Sequence, residues 1–369
     1  MEIKNLRRVS QRIKKAIKQK ERIILYADAD LDGVTSLICL KEAILNLGGK
    51  ISAIYFPQRE KEGYGLNEKA LNKLKKFSPA LLITLDLGIS NFKEAKLAKK
   101  MGFELIIIDH HQVLDKLPKA SIIVDPEQKD DLSNCQYLAT VGIVFKLIEI
   151  LFQKNLPSSL RKNFLELVAL GTLADMMPKK EENKIFIEEG LSLLENSFRP
   201  GIKAFLESQP FKSYQTIDQK VSKLISVLNV RETRNSKPIA FRLLSTPSLK
   251  EAKKIISILL KKDKLRREKI NRLKEKIEAE LTQESEPIIF KQSSKFDLTL
   301  TGVIASILVR EYQKPVFLVK KMKKESLGTV RTPKEVDSVG LMKKCRKLLI
   351  SYGGHSQASG FRIKNNHII

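Results

Sequence analysis

The chain has 369 residues, 42% hydrophobic and 30% charged, which is too long for one ordinary domain and suggests two, each able to bury its own core. No apolar run approaches membrane-spanning length and the N-terminus lacks the apolar core of a signal peptide, so no membrane-spanning helix is expected and the cytoplasm is the expected location. A formal net charge of +26 would attract a polyanion, nucleic acid first, although a lysine-rich surface that merely solvates the fold would carry the same charge.

In chain order, residues 3–20 read as a basic amphipathic helix, with Ile3, Leu6, Val9, Ile13 and Ile17 near helical spacing, expected to pack on a sheet edge. Ile23 to Ala27 is strand-like and runs into Tyr26-Ala-Asp-Ala-Asp-Leu-Asp-Gly33, where Asp28, Asp30 and Asp32 stand at alternate positions. If the segment is extended, the three carboxylates share one face and repel one another at neutral pH unless a cation or a basic partner is bound. Gly33 is expected to turn the backbone into a helix over Val34 to Leu47. A calcium-type loop does not fit, because the glycine comes too early and no glutamate closes the motif.

Lys50 to Phe56 is a second strand, followed by a glycine-bearing polar loop, PQREKEGYGLN, that could reach the site, and Asn67 can cap the next helix. Ala80 to Leu87 is a near-continuous apolar run carrying Asp86 near its end, as a strand buried on both faces would be. After a helix over Phe92 to Met101, the strand from Phe103 ends in Asp109-His110-His111, two of only four histidines in the chain. A neutral imidazole there can bind a divalent ion while its neighbour orients or protonates. Ser121 to Asp125 supplies a fifth strand, and right-handed crossovers would line up Asp28 to Asp32, Asp86 and Asp109 to His111 along one edge of a parallel sheet.

From Leu138 the pattern is helical over Leu138 to Gln153, Ser159 to Ala174 and Asn183 to Glu195. Asp175, before Met-Met-Pro178, is either a helix-terminal oddity or a ligand swung back toward the sheet, and spacing alone leaves both open. Thr246 to Gln283 is a long charged helix, and beyond Glu286 short strands and two helices follow. Cys39, Cys135 and Cys345 form no metal-type pair and are expected to be reduced core residues.

YADADLDGVTS, ITLDLGIS, IIIDHHQV and LVALGTLADMMP, in this order, resemble the four motifs of the DHH phosphoesterase family, specifically the RecJ-type single-stranded-DNA exonucleases. Small-nucleotide members would carry histidine at position 26, where this chain has Tyr26. The resemblance implies an α/β fold: a parallel-sheet DHH domain with a helical extension over residues 1–210, a connecting segment and long helix over 211–285, and a smaller α/β DHH-associated domain over 286–369. It implies two divalent ions, manganese or magnesium, held by Asp28, Asp30, Asp32, Asp86, His110 and Asp175, with Asp86 bridging. His111 and Asp109 are the implied catalytic pair, His111 contacting the scissile phosphate or its leaving group.

For substrate binding the resemblance points to Arg331 in a strand, to the Gly353-Gly354-His355 segment, expected as a glycine turn, and to Asn229 with Arg231 or Arg234. It implies a 5′-to-3′ exonuclease of DNA repair and recombination, acting on single-stranded nucleic acid with DNA favoured, no membrane contact, and room for a single-strand-binding or helicase partner. The alternative is a phosphodiesterase of short oligonucleotides or small nucleotides. Larger members continue into an oligonucleotide-binding barrel, whereas this sequence stops shortly after Gly360, as either a minimal form or an incomplete sequence would.

Overall fold

Five short apolar runs, each too brief for a buried helix, make the first sheet. Ile23–Ala27 (β1), Ile51–Tyr55 (β2), Ala80–Leu85 (β3), Phe103–Ile108 (β4) and Ile122–Val124 (β5) pair in parallel in the order β2-β1-β3-β4-β5. In the computed structural model, residues 2–58, 62–113, 116–229, 233–234, 237–281 and 286–368 are described. They fall into two units, Met1–Asp263 and Lys264–Ile369.

Strand periodicity divides the core of the first unit. Ile23, Leu25, Leu81, Ile83, Ile106 and Ile108 face one hydrophobic cluster, whereas Ile24, Tyr26, Leu82, Leu105 and Ile107 face another. Both faces being covered, β1 and β3 are wholly buried, which is why their sequences are nearly continuous in apolar residues. Glu68–Leu74 (α3) and Phe92–Lys100 (α4) supply Ala70, Leu71, Ala95 and Ala98 to the second cluster. Asn67 caps α3 by accepting from the Ala70 N–H at 2.9 Å, as its sequence position suggests.

The larger cluster is built by Leu6–Lys18 (α1), Leu31–Asn46 (α2), Thr140–Phe152 (α5) and Ser158–Ala174 (α6), with Glu181–Leu194 (α7) packed on α6. α1 lies against α5 and the edge strand β5, the expected place for its basic outer face. Five further helices end the unit: Pro200–Leu206 (α8), Gln209–Lys212 (α9), Ile217–Leu228 (α10), Ile239–Ser245 (α11) and the first half of Leu249–Ala279 (α12). Ile255, Ile256 and Leu259 of α12 join this cluster, while Ile270 and Ile277 join the core of the second unit.

The second unit holds Ile289–Ser293 (β8), Leu298–Tyr312 (α13), Val316–Lys321 (β9), Glu325–Arg331 (β10), Ser338–Lys344 (α14), Leu349–His355 (β11) and Ala358–Lys364 (β12). Its strand order is β11-β12-β10-β9-β8, with β8 and β9 parallel and the other neighbours antiparallel. Thr233–Arg234 (β6) and Lys237–Pro238 (β7) form a separate two-stranded ladder in the first unit. Among the described residues no helix is long and apolar enough to cross a membrane. Cys39 and Cys135 are buried as expected, but Cys345 is exposed, because it follows the last turn of α14 rather than facing a core.

Candidate metal centre

The register line Ala27–Leu85–Ile108–Val124 crosses four neighbouring strands, and the residue after each is an aspartate. The backbone N–H groups of Asp28, Asp86 and Asp109 donate to Leu85 O, Ile108 O and Val124 O at 3.2, 3.0 and 3.0 Å, so these residues make the last rung of the ladder. Asp28, Asp86, Asp109 and Asp125 therefore stand in a row at the carboxyl edge of the sheet, all buried, where parallel sheets keep their sites.

The first motif is not an extended array. Its strand stops at Ala27 because Asp30 caps α2, its Oδ1 accepting from the Gly33 N–H at 3.2 Å. Asp28 accepts from the Ala29 N–H at 2.7 Å, and Asp32 lies within the first turn of α2. A Cβ on Gly33 would stand 2.4 Å from the Asp28 carbonyl oxygen, so this glycine permits a close approach inside the helix rather than the expected bend.

Both Asp32 oxygens take backbone N–H groups from the start of α5: Oδ2 from Thr140 at 2.8 Å and Oδ1 from Val141 at 2.9 Å. Asp86 follows with a left-handed backbone, φ 62°, and its Oδ1 accepts from the Thr140 hydroxyl at 3.3 Å. The buried imidazole of His110 sits among three carboxylates, its Nε2 3.3 Å from Asp86 Oδ1, 3.6 Å from Asp32 Oδ2 and 3.5 Å from Asp175 Oδ2. Asp175 is thus both the C-cap of α6 and turned toward the sheet. It gets there because α6 passes close to α2 at Gly171, where a Cβ would lie 2.4 Å from Thr35 Oγ1.

Among the described residues the groups of donors include Asp28, Asp30 and Asp86 on one side and Asp32, His110 and Asp175 on the other, with Asp86, Asp109 and His111 forming a further group, the ligand atoms of each within 4.8 Å of one another. Asp86 belongs to the first and lies beside His110 of the second. The electrostatics fit cations. Burial, then the charge of Asp30, pushes the Asp32 carboxyl up to about 7 despite its two N–H donors. Burial, then Asp30, Asp32, Asp28 and Asp175, raises Asp86 well above the carboxylate range. Burial and then His111 hold His110 down, at about 3, so its imidazole is neutral and able to ligate. Oxygen donors with one imidazole suit manganese or magnesium.

His111 has a different setting. Its Nδ1 lies 2.7 Å from Asp109 Oδ1, and Asp109 also accepts the backbone N–H groups of Ile89, His110 and His111 at 3.0, 2.9 and 3.3 Å. Burial opposes the charged form of both, but each is overruled by the other: the charge and hydrogen bond of Asp109 push His111 up to about 9, and those of His111 keep Asp109 below the usual range. The Tyr64 hydroxyl stands 3.3 Å from His111 Nε2 and donates to Asp86 O at 3.4 Å. An imidazolium with Nδ1–H to Asp109 and Nε2–H to the Tyr64 oxygen satisfies all three groups.

The expected substrate-binding residues divide between the units. In the second, Arg331 and His355 pair with the same residue, Ala358, from opposite sides of β12, which puts both at one end of that sheet. Arg331 Nε reaches Ser306 Oγ at 3.2 Å. Gly353 and Gly354 form no turn: they are paired in β11 with Gly360 and Ser359, because β11 and β12 run on as a hairpin through His355. In the first unit Asn229 is the C-cap of α10. Arg231 lies outside the described residues, as does the side chain of Arg234.

Sequence reasoning missed Thr140 and Asp125 and placed Tyr64 only in a loop able to reach the site. The Asp125 signal was its place at the end of the fifth strand.

Residues 22–172 match the family described as "DHH family, N-terminal domain". The chain is 31% identical over 377 residues to the single-stranded-DNA-specific exonuclease RecJ of Bacillus subtilis, covering 98% of this chain and 46% of that protein. With the Thermus thermophilus protein of the same name included, it spans about half the length of such curated relatives. A solved structure of exonuclease RecJ bound to manganese superposes with a TM-score of 0.79 at 26% identity, covering 98% of this chain and 91% of that one. RecJ from Thermus thermophilus in complex with Mn2+ gives 0.83 at 25% identity, covering 98% of this chain and 52% of the other. Residues 22–172 thus resemble the N-terminal domain of the DHH family, and over nearly its whole length the chain is similar in sequence and fold to RecJ.

Proposed function

We propose that this protein is a metal-dependent single-stranded-DNA exonuclease that hydrolyses phosphodiester bonds with two divalent ions, manganese or magnesium, working 5′ to 3′ in DNA repair and recombination. The observation that carries the reading is the position of Asp86, one carboxylate placed between two groups of hard donors. Asp28, Asp30 and Asp86 would hold one ion, and Asp32, Asp86, His110 and Asp175 the other. Bound there, two such ions supply activated water and offset the charge that builds up in an in-line phosphoryl displacement.

The protein's own groups do the rest. Asp109 orients His111 and keeps it protonated, so that its imidazolium can donate to a phosphate oxygen or to the leaving group. Thr140 and Val141 N–H groups fix Asp32. Arg331, Gly353, Gly354 and His355 are proposed to bind substrate phosphates, with Asn229 and either Arg231 or Arg234 assisting. The net charge of +26 supports a polyanionic substrate, and the relatives named as single-stranded-DNA-specific exonucleases support DNA. A cytoplasmic location and a single-strand-binding or helicase partner go with that role.

The test is end-labelled single-stranded DNA of about thirty nucleotides, longer than the roughly 4 to 16 nucleotide footprint of a single-strand-binding module, compared with dinucleotides in manganese at two salt concentrations. Stepwise release of mononucleotides from the 5′ end of the long strand, faster at low salt, is the expected result. A preference for dinucleotides without salt effect would overturn it in favour of a phosphodiesterase of short oligonucleotides.

A further inference from the structure

Thr140 is the first residue of α5, is fully buried, and joins two aspartates that come from different elements. Its backbone N–H goes to Asp32 Oδ2 at 2.8 Å and its hydroxyl to Asp86 Oδ1 at 3.3 Å. His110 Nε2 lies between the same two carboxylates, 3.6 Å from one and 3.3 Å from the other. We propose that Thr140 is a positioning residue of the metal centre, whose hydroxyl sets the orientation in which Asp86 is presented to the ions. This rests on the two-ion reading above.

The hydroxyl is not used by its own helix. Ala139 is the N-cap of α5 and makes no side-chain cap, and the first N–H groups of the helix go to Asp32 instead. A threonine has one proton to give, and here it is given to the carboxylate that belongs to one donor group and lies beside His110 of the other. Asp86 needs such a hold. Its backbone is in the left-handed region, beyond the end of β3, and the charges of Asp30, Asp32, Asp28 and Asp175 all push against its own. A carboxylate under that repulsion, free to rotate about its side-chain bonds, would spread over several orientations, each presenting different oxygens to an ion. One fixed donor selects among them before any ion arrives. The two backbone donors do the same for Asp32, so the first turn of α5 organises both carboxylates beside His110.

The removal of one outer hydrogen-bond partner of a metal ligand typically weakens binding 10- to 100-fold. Thr140→Val keeps the volume, the burial and the backbone N–H that holds Asp32, and deletes only the donor to Asp86. Thr140→Ser keeps the donor. The experiment is calorimetric titration of Mn2+ into the full chain for wild type, Thr140→Val and Thr140→Ser, with the Mn2+ concentration for half-maximal cleavage measured beside it. Expected are two ions bound by wild type, binding weakened about tenfold or more in Thr140→Val, and near-wild-type binding in Thr140→Ser. The half-maximal Mn2+ concentration should rise by the same factor, while activity at saturating Mn2+ largely returns. Thr140→Ala offers the same contrast if the valine variant does not fold.

Two-ion binding as tight in Thr140→Val as in wild type overturns the role of Thr140 and leaves the two-ion reading standing. Equal weakening in the serine variant overturns it too, because the hydroxyl is then not the operative group. A folded wild-type chain that binds no Mn2+ removes the two-ion reading itself, and this inference with it.

Discussion

The Oδ1 atom of Asp109 lies 2.7 Å from His111 Nδ1 and, as well, accepts the backbone N–H groups of both histidines that follow it. One oxygen thus fixes the orientation of the ring. Replacing Asp109 by asparagine keeps the shape but removes the charge that holds His111 protonated up to about pH 9. If His111 acts as an acid, activity is present below its pKa and lost as pH rises through it. In Asp109→Asn that alkaline fall should move down toward the ordinary histidine value, and kcat should drop by up to about 10⁴-fold, as when an orienting aspartate is lost elsewhere. A pH–rate profile of both proteins in manganese checks this, and an unmoved alkaline limb counts against the assignment.

Asp86→Ala and His110→Ala should each lower turnover by orders of magnitude while the fold persists. Without metal, Asp86→Ala should melt at or above the wild-type temperature, because it relieves a buried carboxylate that burial and four neighbouring aspartates disfavour in its charged form. Melting curves in chelator and cleavage assays in manganese measure the two halves. A folded Asp86→Ala protein with near-normal cleavage would show the ligand assignment to be wrong.

Manganese should raise the melting temperature, since ions that bind only the folded site stabilise it by mass action, by about 2.7 kcal/mol at a hundred times the dissociation constant. The dependence should vanish in Asp86→Ala. A flat melting temperature across a manganese titration of wild type at neutral pH would count strongly against a preformed acidic site.

Glu166 of α6 offers a pH test away from the centre. It is buried, accepts from Ser197 Oγ at 2.7 Å, and burial pushes its carboxyl up to about 7 although Ser197 and Arg199 oppose the rise. Its folded pKa lies above its unfolded one, so the native state holds the proton longer, and stability declines as pH climbs from about 4.5 to about 7. Glu166→Gln, always neutral, should escape this decline. Its advantage over wild type should be small at pH 5 and grow to at most about 3 kcal/mol above pH 7. Denaturant melts of the two proteins at pH 5 and pH 8 should show the gap opening, and a constant gap would refute the account.

The sheet and most of the helices were legible because burial on both faces demands continuous apolar runs and amphipathic helices demand apolar stripes. Asp28, Asp86, Asp109, His110 and His111 were legible as strand-end residues for the same reason: each directly follows, or stands within three residues of, a run that could only be a buried strand. Where the expectation failed, a local competitor won. Asp30 captured the end of α2 as its cap, so Asp28, Asp30 and Asp32 left the strand geometry that would have put them on one face. The Gly353-Gly354 pair was drawn into β11 by its ladder with β12, so it does not turn the chain.

Residue types and their order determined a parallel sheet with carboxylates and imidazoles at the strand ends, since these follow from periodicities of two and 3.6 residues that act over a few neighbours. Which donors share a site was decided by the tertiary structure alone. Thr140 meets Asp86 across 54 residues and Asp32 across 108, and Asp175 reaches His110 only because α6 crosses α2 at a glycine. Such contacts depend on how helices close-pack over the sheet, a property of the whole core that no local window of sequence contains.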